Sequence, residues 1–203
     1  VSLFWEGIRN TIFGFGNFSY TLSGDLNGDG VSNNDLIYIP RDASEMNFEQ
    51  YTATVSGTPV TFTVQQQIDA WNTYIEADKY LSKNRGNFAE RGGAVLPMVY
   101  RSDLSVSQDV FTSFLEKRNT LQFRIDLLNV GNLLNKNWGV GQRFANTSNA
   151  NVQPLIARGA SANGAALYRL RNVGTALLTN PLEQTTDISD VFRIQLGVRY
   201  IFN

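Results

Sequence analysis

The residues best spaced for chemistry lie early in the chain, in the run Gly-Asp-Leu-Asn-Gly-Asp-Gly-Val-Ser-Asn-Asn-Asp from Gly24 to Asp35. Asp25, Asn27 and Asp29 alternate and Gly30 follows. An EF-hand-type loop supplies oxygens from its first, third and fifth positions in this way before a sharp turn. Val31 at the seventh position and the later acid Asp35 complete the candidate set. The twelfth position, where an EF-hand carries a bidentate acid, is Leu36, so the geometry must differ from an EF-hand. Calcium is the expected ion, and its role would be to brace a loop. The alternative is an Asp/Asn/Gly-rich turn whose side chains bond their own backbone without metal.

Other chemistries are excluded by composition. The 203 residues contain no histidine and no cysteine, which removes imidazole and thiolate zinc sites, Ser-His-Asp triads, cysteine nucleophiles and disulfides. Lys+Arg 17 against Asp+Glu 18 gives a net charge of -1, without the basic excess a nucleic-acid partner requires. The Arg85 to Gly93 stretch resembles an RGG element, but it is a single copy carrying Glu90 and reads as a loop. Asp42, Glu45, Glu49, Asp69, Glu76 and Asp78 are numerous enough for an acid/base pair; nothing selects one, and they read as loop acids. Phosphate-binding glycine motifs are absent. The expectation is therefore a chain that performs no covalent chemistry.

The elements that must position the loop are strands. Phe192, Ile194, Leu196, Val198, Tyr200 and Phe202 alternate with Arg193, Gln195, Gly197 and Arg199, a period of two. Leu121, Phe123, Ile125 and Leu127 alternate with Thr120, Gln122, Arg124 and Asp126, and Tyr100, Leu104, Val106 and Val110 with Arg101, Asp103, Ser105 and Asp109. Val1, Leu3 and Trp5, then Phe18, Tyr20 and Leu22, predict one long strand or two pieces interrupted around Gly14 to Gly16. All five prolines fall outside these runs, as paired strands require. One helix is expected over 64–81, with Val64, Ile68, Trp71 and Ile75 on one face and Thr63 and Gln66 as a capping box. No apolar run is long enough for a transmembrane helix.

The connections are lopsided: long over about 24–98 and 131–189, short over about 112–119. Outer-membrane barrels pair short periplasmic turns with long extracellular loops in this way. A lysine or arginine facing lipid at midplane costs about 2–4 kcal/mol, so Arg124, Arg193 and Arg199 must face a wet lumen or a protein interior. By parity Gln122, Asp126 and Gln195 join them as lumen candidates. A soluble antiparallel sandwich also alternates, and periodicity alone does not separate the two.

Asn-Val-Gly-Asn-Leu-Leu-Asn-Lys-Asn-Trp, from Asn129 to Trp138, closely resembles the N-L-F-(D/N)-K-x-(Y/W) segment near the end of TonB-dependent outer-membrane receptors. The ending Phe192 to Asn203 is similar to the family's last strand, whose terminal aromatic is read by the barrel-assembly machinery; Tyr200 and Phe202 are the matching residues, with Asn203 following as a small departure. Asp25 to Pro40 together with Asp78 to Gly86 and the run on to Arg101 resembles the large Oar-like, carboxypeptidase-regulatory-domain-bearing receptors of Bacteroidetes. The resemblance implies an all-β fold with one loop helix, these strands being the C-terminal antiparallel strands of a large, 22-stranded type of transmembrane barrel. It implies residence in the outer membrane, import of a ligand, and as partners the remaining barrel and plug, TonB acting through the plug, the assembly machinery, outer-membrane lipid and a surface lipoprotein lid. A secreted, calcium-stabilised β-rich adhesion or binding module is the competing expectation.

Overall fold

The computed structural model describes residues 1–9, 16–114, 117–148 and 150–202. The centre of the expected 112–119 turn, Gly14 and Phe15 of the expected interruption, and Asn203 lie outside them. The chain is mostly β-strand with few helices. No described helix is long and apolar enough to cross a membrane, which says nothing of crossing by strands. It divides into two compact units, one built from 1–10, 97–142 and 184–203, the other from 11–96 and 143–183.

The first unit is a four-stranded antiparallel meander of β1 (Ser2–Arg9), β2 (Met98–Phe114), β3 (Lys117–Leu128) and β4 (Arg193–Ile201), in that spatial order. The ladder between β2 and β3 runs as far as Phe114 opposite Lys117. Among the described residues β1 and β4 are its edges, and no sheet closes on itself. All four expected alternating segments of this sheet form strands, because each matches the two-residue repeat of a pleated ribbon.

The second unit gathers the two long excursions into one packed body, which the sequence reading treats as wandering loops. Its core includes Phe18, Tyr20, Ile37, Ile39, Trp71, Tyr74, Leu155 and Leu170. Short strands surround it. Asn17–Tyr20 pairs with Ala94–Val95 and Asn151–Val152, so the early stretch is two separate strands and its second piece belongs here, not to the meander. Tyr51–Val55 and Thr58–Phe62 form a hairpin turning on Ser56 and Gly57, both at positive φ (49° and 83°), as a two-residue turn matched to strand twist demands.

The helix spans Val64–Ala77, four residues short of the expected end at Leu81. Its capping box forms: the Gln66 amide donates to Thr63 Oγ1 (3.2 Å) and the Thr63 amide to Gln66 Oε1 (2.9 Å). Asp78 stops it, its Oδ1 accepting the Tyr80 and Leu81 amides at 2.8 Å each. Trp71, Tyr74 and Ile75 are buried in the unit's own core. The helix is thus an internal strut of this body.

Candidate functional site

In an antiparallel ladder, residues directly opposite share a face, so the register assigns the described side chains of the meander to one face or the other. One face collects Leu3, Trp5, Tyr100, Leu104, Val106, Val110, Leu121, Phe123, Ile125, Leu127, Ile194, Leu196, Val198 and Tyr200, with Arg9, Ser102, Gln108 and Asn119 polar members among the described side chains. Its central row is Val106, Ile125 and Leu196. These side chains remain open: Ile125 is 44% exposed and Leu196 73%. Tyr200, near the end of β4, turns its phenol onto Asn119 Oδ1 at 2.7 Å, and its ring lies 5.9 Å from that of Phe202.

The other face carries most of the charged and amide side chains, with Phe4, Ile8, Val99, Phe111, Leu128 and Ile201 among them, and all six lumen candidates share it. Gln122 stands opposite Arg199, Asp126 opposite Gln195, Arg193 opposite Leu128, and Arg124 opposite Gly197. Gln122 Nε2 donates to Asp109 Oδ1 at 2.8 Å, and Arg124 pairs with Asp126 at 2.9 Å. Asp103, Ser105, Arg124, Asp126 and Gln195 line a shallow concavity on this face. The arrangement presents carboxylate, amide and guanidinium groups able to hydrogen-bond water or a polar partner.

Residues 129–141 form a tied corner at the end of β3. Asn129 is buried and adopts a left-handed conformation (φ 51°, ψ 50°). Its amide donates to Asp103 Oδ1 (2.8 Å), and its side chain donates to the carbonyls of Gly139 and Ser189 (3.3 Å each). Asn132 ties the carbonyls of Lys136 and Trp138 and accepts from the Phe192 amide. Asp190 accepts from Arg101 (3.0 Å), the Gly141 amide (2.9 Å), the Asp187 amide (2.9 Å) and Thr185 (2.6 Å). Burial raises the Asp190 carboxyl, but the bonds from Thr185, Gly141 and Asp187 and the charge of Arg101 outweigh it and hold it below the usual range. The asparagines of the Asn129 to Trp138 motif thus fasten β2, β4 and the intervening chain together. The sequence reading marked the motif but not this role, since side-chain-to-carbonyl bonds over 60 residues leave no periodic signal.

In the second unit the Asp25 to Asp35 loop is bound to its own backbone. Asp25 accepts from the Gly28 and Gly30 amides (2.7 and 2.9 Å), Asn27 from Asp29 (2.9 Å), Asp29 from Val31 (2.8 Å) and Asp35 from Leu26 (2.7 Å). The Val31 amide, then Asn27, hold the Asp29 carboxyl below its ordinary pKa. Asn27 and Asp29 touch at 3.1 Å. No three Asp, Glu, His or Cys side chains converge among the described residues, although calcium also takes amide and carbonyl oxygens.

The loop acids have structural partners. Asp42 caps a 3₁₀ turn at Ser44, Glu49 bridges Arg158 and Arg169, Asp69 accepts from Gln65, Glu76 pairs with Arg85, and Asp78 accepts from Tyr20. Arg85 of the RGG-like stretch is itself spent on the carbonyls of Pro40 and Arg41.

Comparison with family models, curated proteins and solved structures returns no match.

Proposed function

We propose that the chain forms the C-terminal section of the wall of a TonB-dependent outer-membrane transporter, an importer whose ligand is captured outside the cell. One observation carries the reading: a four-stranded antiparallel sheet keeps a mostly apolar face open while its opposite face holds most of its charged and amide side chains. In water such a face of Leu, Ile, Val and aromatic side chains is a liability; against acyl chains it is the required surface of a barrel wall. At 17 and 12 residues, β2 and β3 exceed the 9–11 residues a tilted spanning strand needs. The open edges β1 and β4 are where further strands of a 22-stranded type of barrel would pair, since an exposed edge otherwise invites aggregation.

On this reading the polar face looks into the lumen, where Gln122, Arg124, Asp126, Arg193, Gln195 and Arg199 meet water or a plug through which TonB delivers energy. The excursions that make the second unit are the extracellular loops, able to meet ligand or a lipoprotein lid. Tyr200 and Phe202 serve as the assembly signal. Calcium in the Asp25 to Asp35 loop would add a brace to turns that already close on themselves.

The competing reading, a soluble calcium-stabilised module, is favoured by the second unit's own buried core. Membrane fractionation separates the two. A wall protein stays with the outer membrane through carbonate washing and leaves it only in detergent; recovery as a soluble species in plain buffer overturns the proposal.

A further inference from the structure

The apolar face does not end flat. At the Met98 end of β2, a concavity of about 710 Å³ opens between an apolar side of Trp5, Tyr100, Leu134 and Trp138 and a polar side that includes Asn137 and Gln184, within the range of sites that enclose a small ligand. Its floor is prepared by residue choice. Gly7 stands opposite Tyr100 in the ladder, and a Cβ there would fall 2.9 Å from the Tyr100 ring. The missing side chain lets Tyr100 lie across β1 and stack on Trp5, with ring centroids 5.5 Å apart and planes 9° from parallel. One wall is the short helix Val130–Leu134. Gly131 packs where a Cβ would sit 3.6 Å from Ser102 Oγ, an apolar-face position, and 3.6 Å from the Trp138 ring. The helix therefore folds over the same face that carries Leu3, Leu104 and Ile125.

Two features of this rim run against a purely structural role. Leu134 is 80% exposed and Trp138 55%, so the wall leaves its greasy surface open, continuous with the sheet through Trp5 and Tyr100. Lys136, between them in sequence, is exposed and forms no ion pair among the described residues. Indole and phenol rings beside aliphatic side chains match the boundary where acyl chains meet headgroups, and Lys136, two residues from both Leu134 and Trp138 in the chain, offers a long exposed cation next to that lining.

We propose that this cup holds one acyl chain of a membrane lipid with an anionic headgroup, Lys136 taking the phosphate; the inference rests on the lipid-facing reading of the sheet. The three tryptophans make it testable, because Trp71 is fully buried and reports nothing from lipid. Phosphatidylglycerol with brominated acyl chains is titrated into detergent micelles holding the protein, and tryptophan emission is read. In a Trp5→Phe variant the Trp138 share of emission is lost saturably. Brominated phosphatidylcholine requires a several-fold higher concentration, Lys136→Gln erases that difference, and Leu134→Asp abolishes saturation while Trp71 emission and the unfolding midpoint show a folded chain. Quenching of Trp138 that grows in proportion to bulk lipid, equally for both headgroups, overturns the cup and leaves the lipid-facing sheet standing. In a Trp138→Phe variant, Trp5 that no brominated lipid quenches overturns the lipid-facing reading, and the cup with it.

Discussion

Ile125 sits mid-strand on the apolar face, flanked in register by Val106 and Leu196. If that face meets acyl chains, Ile125→Lys places an ammonium near the hydrocarbon midplane at a cost of about 2–4 kcal/mol. At about 1.4 kcal/mol per decade, this lowers the folding equilibrium constant roughly 30- to 700-fold. If the face meets water, the same change at a half-exposed position moves stability by no more than about 0.5 kcal/mol. Gln195→Lys is the control, because Gln195 faces Asp126 on the polar side and a lysine there gains a carboxylate neighbour. The assay is guanidinium unfolding of protein refolded into phospholipid vesicles, followed by tryptophan emission. The account requires a large fall in midpoint for Ile125→Lys, a smaller one for Leu121→Lys nearer the strand end, and none for Gln195→Lys. An Ile125→Lys midpoint within error of the control refutes the reasoning.

Four further outcomes follow from local geometry. Thr63→Ala removes half of the capping box and destabilises the second unit by about 1 kcal/mol in urea unfolding, with Ser in place of Thr restoring most of it. Gly139→Ala lowers the thermal midpoint sharply: the residue has φ +68°, a methyl there would overlap Asn129 Oδ1, and the left-handed backbone alone costs about 1–2 kcal/mol. Asp190 has a depressed folded-state pKa, so its stabilising contribution is present above the unfolded value of about 3.9 and is lost as pH falls through the folded value; Asp190→Asn removes this acid-limb dependence in pH-dependent thermal melts. Calcium at millimolar concentration raises the melting midpoint of the wild-type chain by mass action, and Asp25→Asn or Asp29→Asn abolishes the rise; an unchanged wild-type midpoint leaves the loop to its backbone turns alone.

The strands of the meander were legible because each repeats a two-residue pattern over a long run, and the capping box because Thr63 and Gln66 are adjacent in sequence. Parity also placed Gln122, Arg124 and Asp126 on one face with Arg193, Gln195 and Arg199. What pattern could not supply was pairing between distant short segments. Asn17–Tyr20 joins Asn151–Val152 in parallel, and Glu49 meets Arg158 and Arg169; two- to four-residue strands carry too few side chains to show a period. The second unit's core was hidden because Phe18 and Trp71 lie in an expected strand and an expected helix while Ile39 and Leu155 come from segments that look like loop, and no pattern along the chain joins the four. Asn129 was visible as part of a motif, yet its left-handed backbone and its hold on Gly139 and Ser189 depend on contacts made only after folding.

The central claim is tested most directly by accessibility along β3. The chain contains no cysteine, so single cysteines placed in turn at positions 121 to 127 each carry one nitroxide. In membranes, positions 121, 123, 125 and 127 should collide with dissolved oxygen and be sheltered from a water-soluble nickel chelate, while 122, 124 and 126 show the reverse or are shielded from both. Odd positions shielded from oxygen and chelate alike, or open to the chelate, would contradict the assignment of this face to lipid.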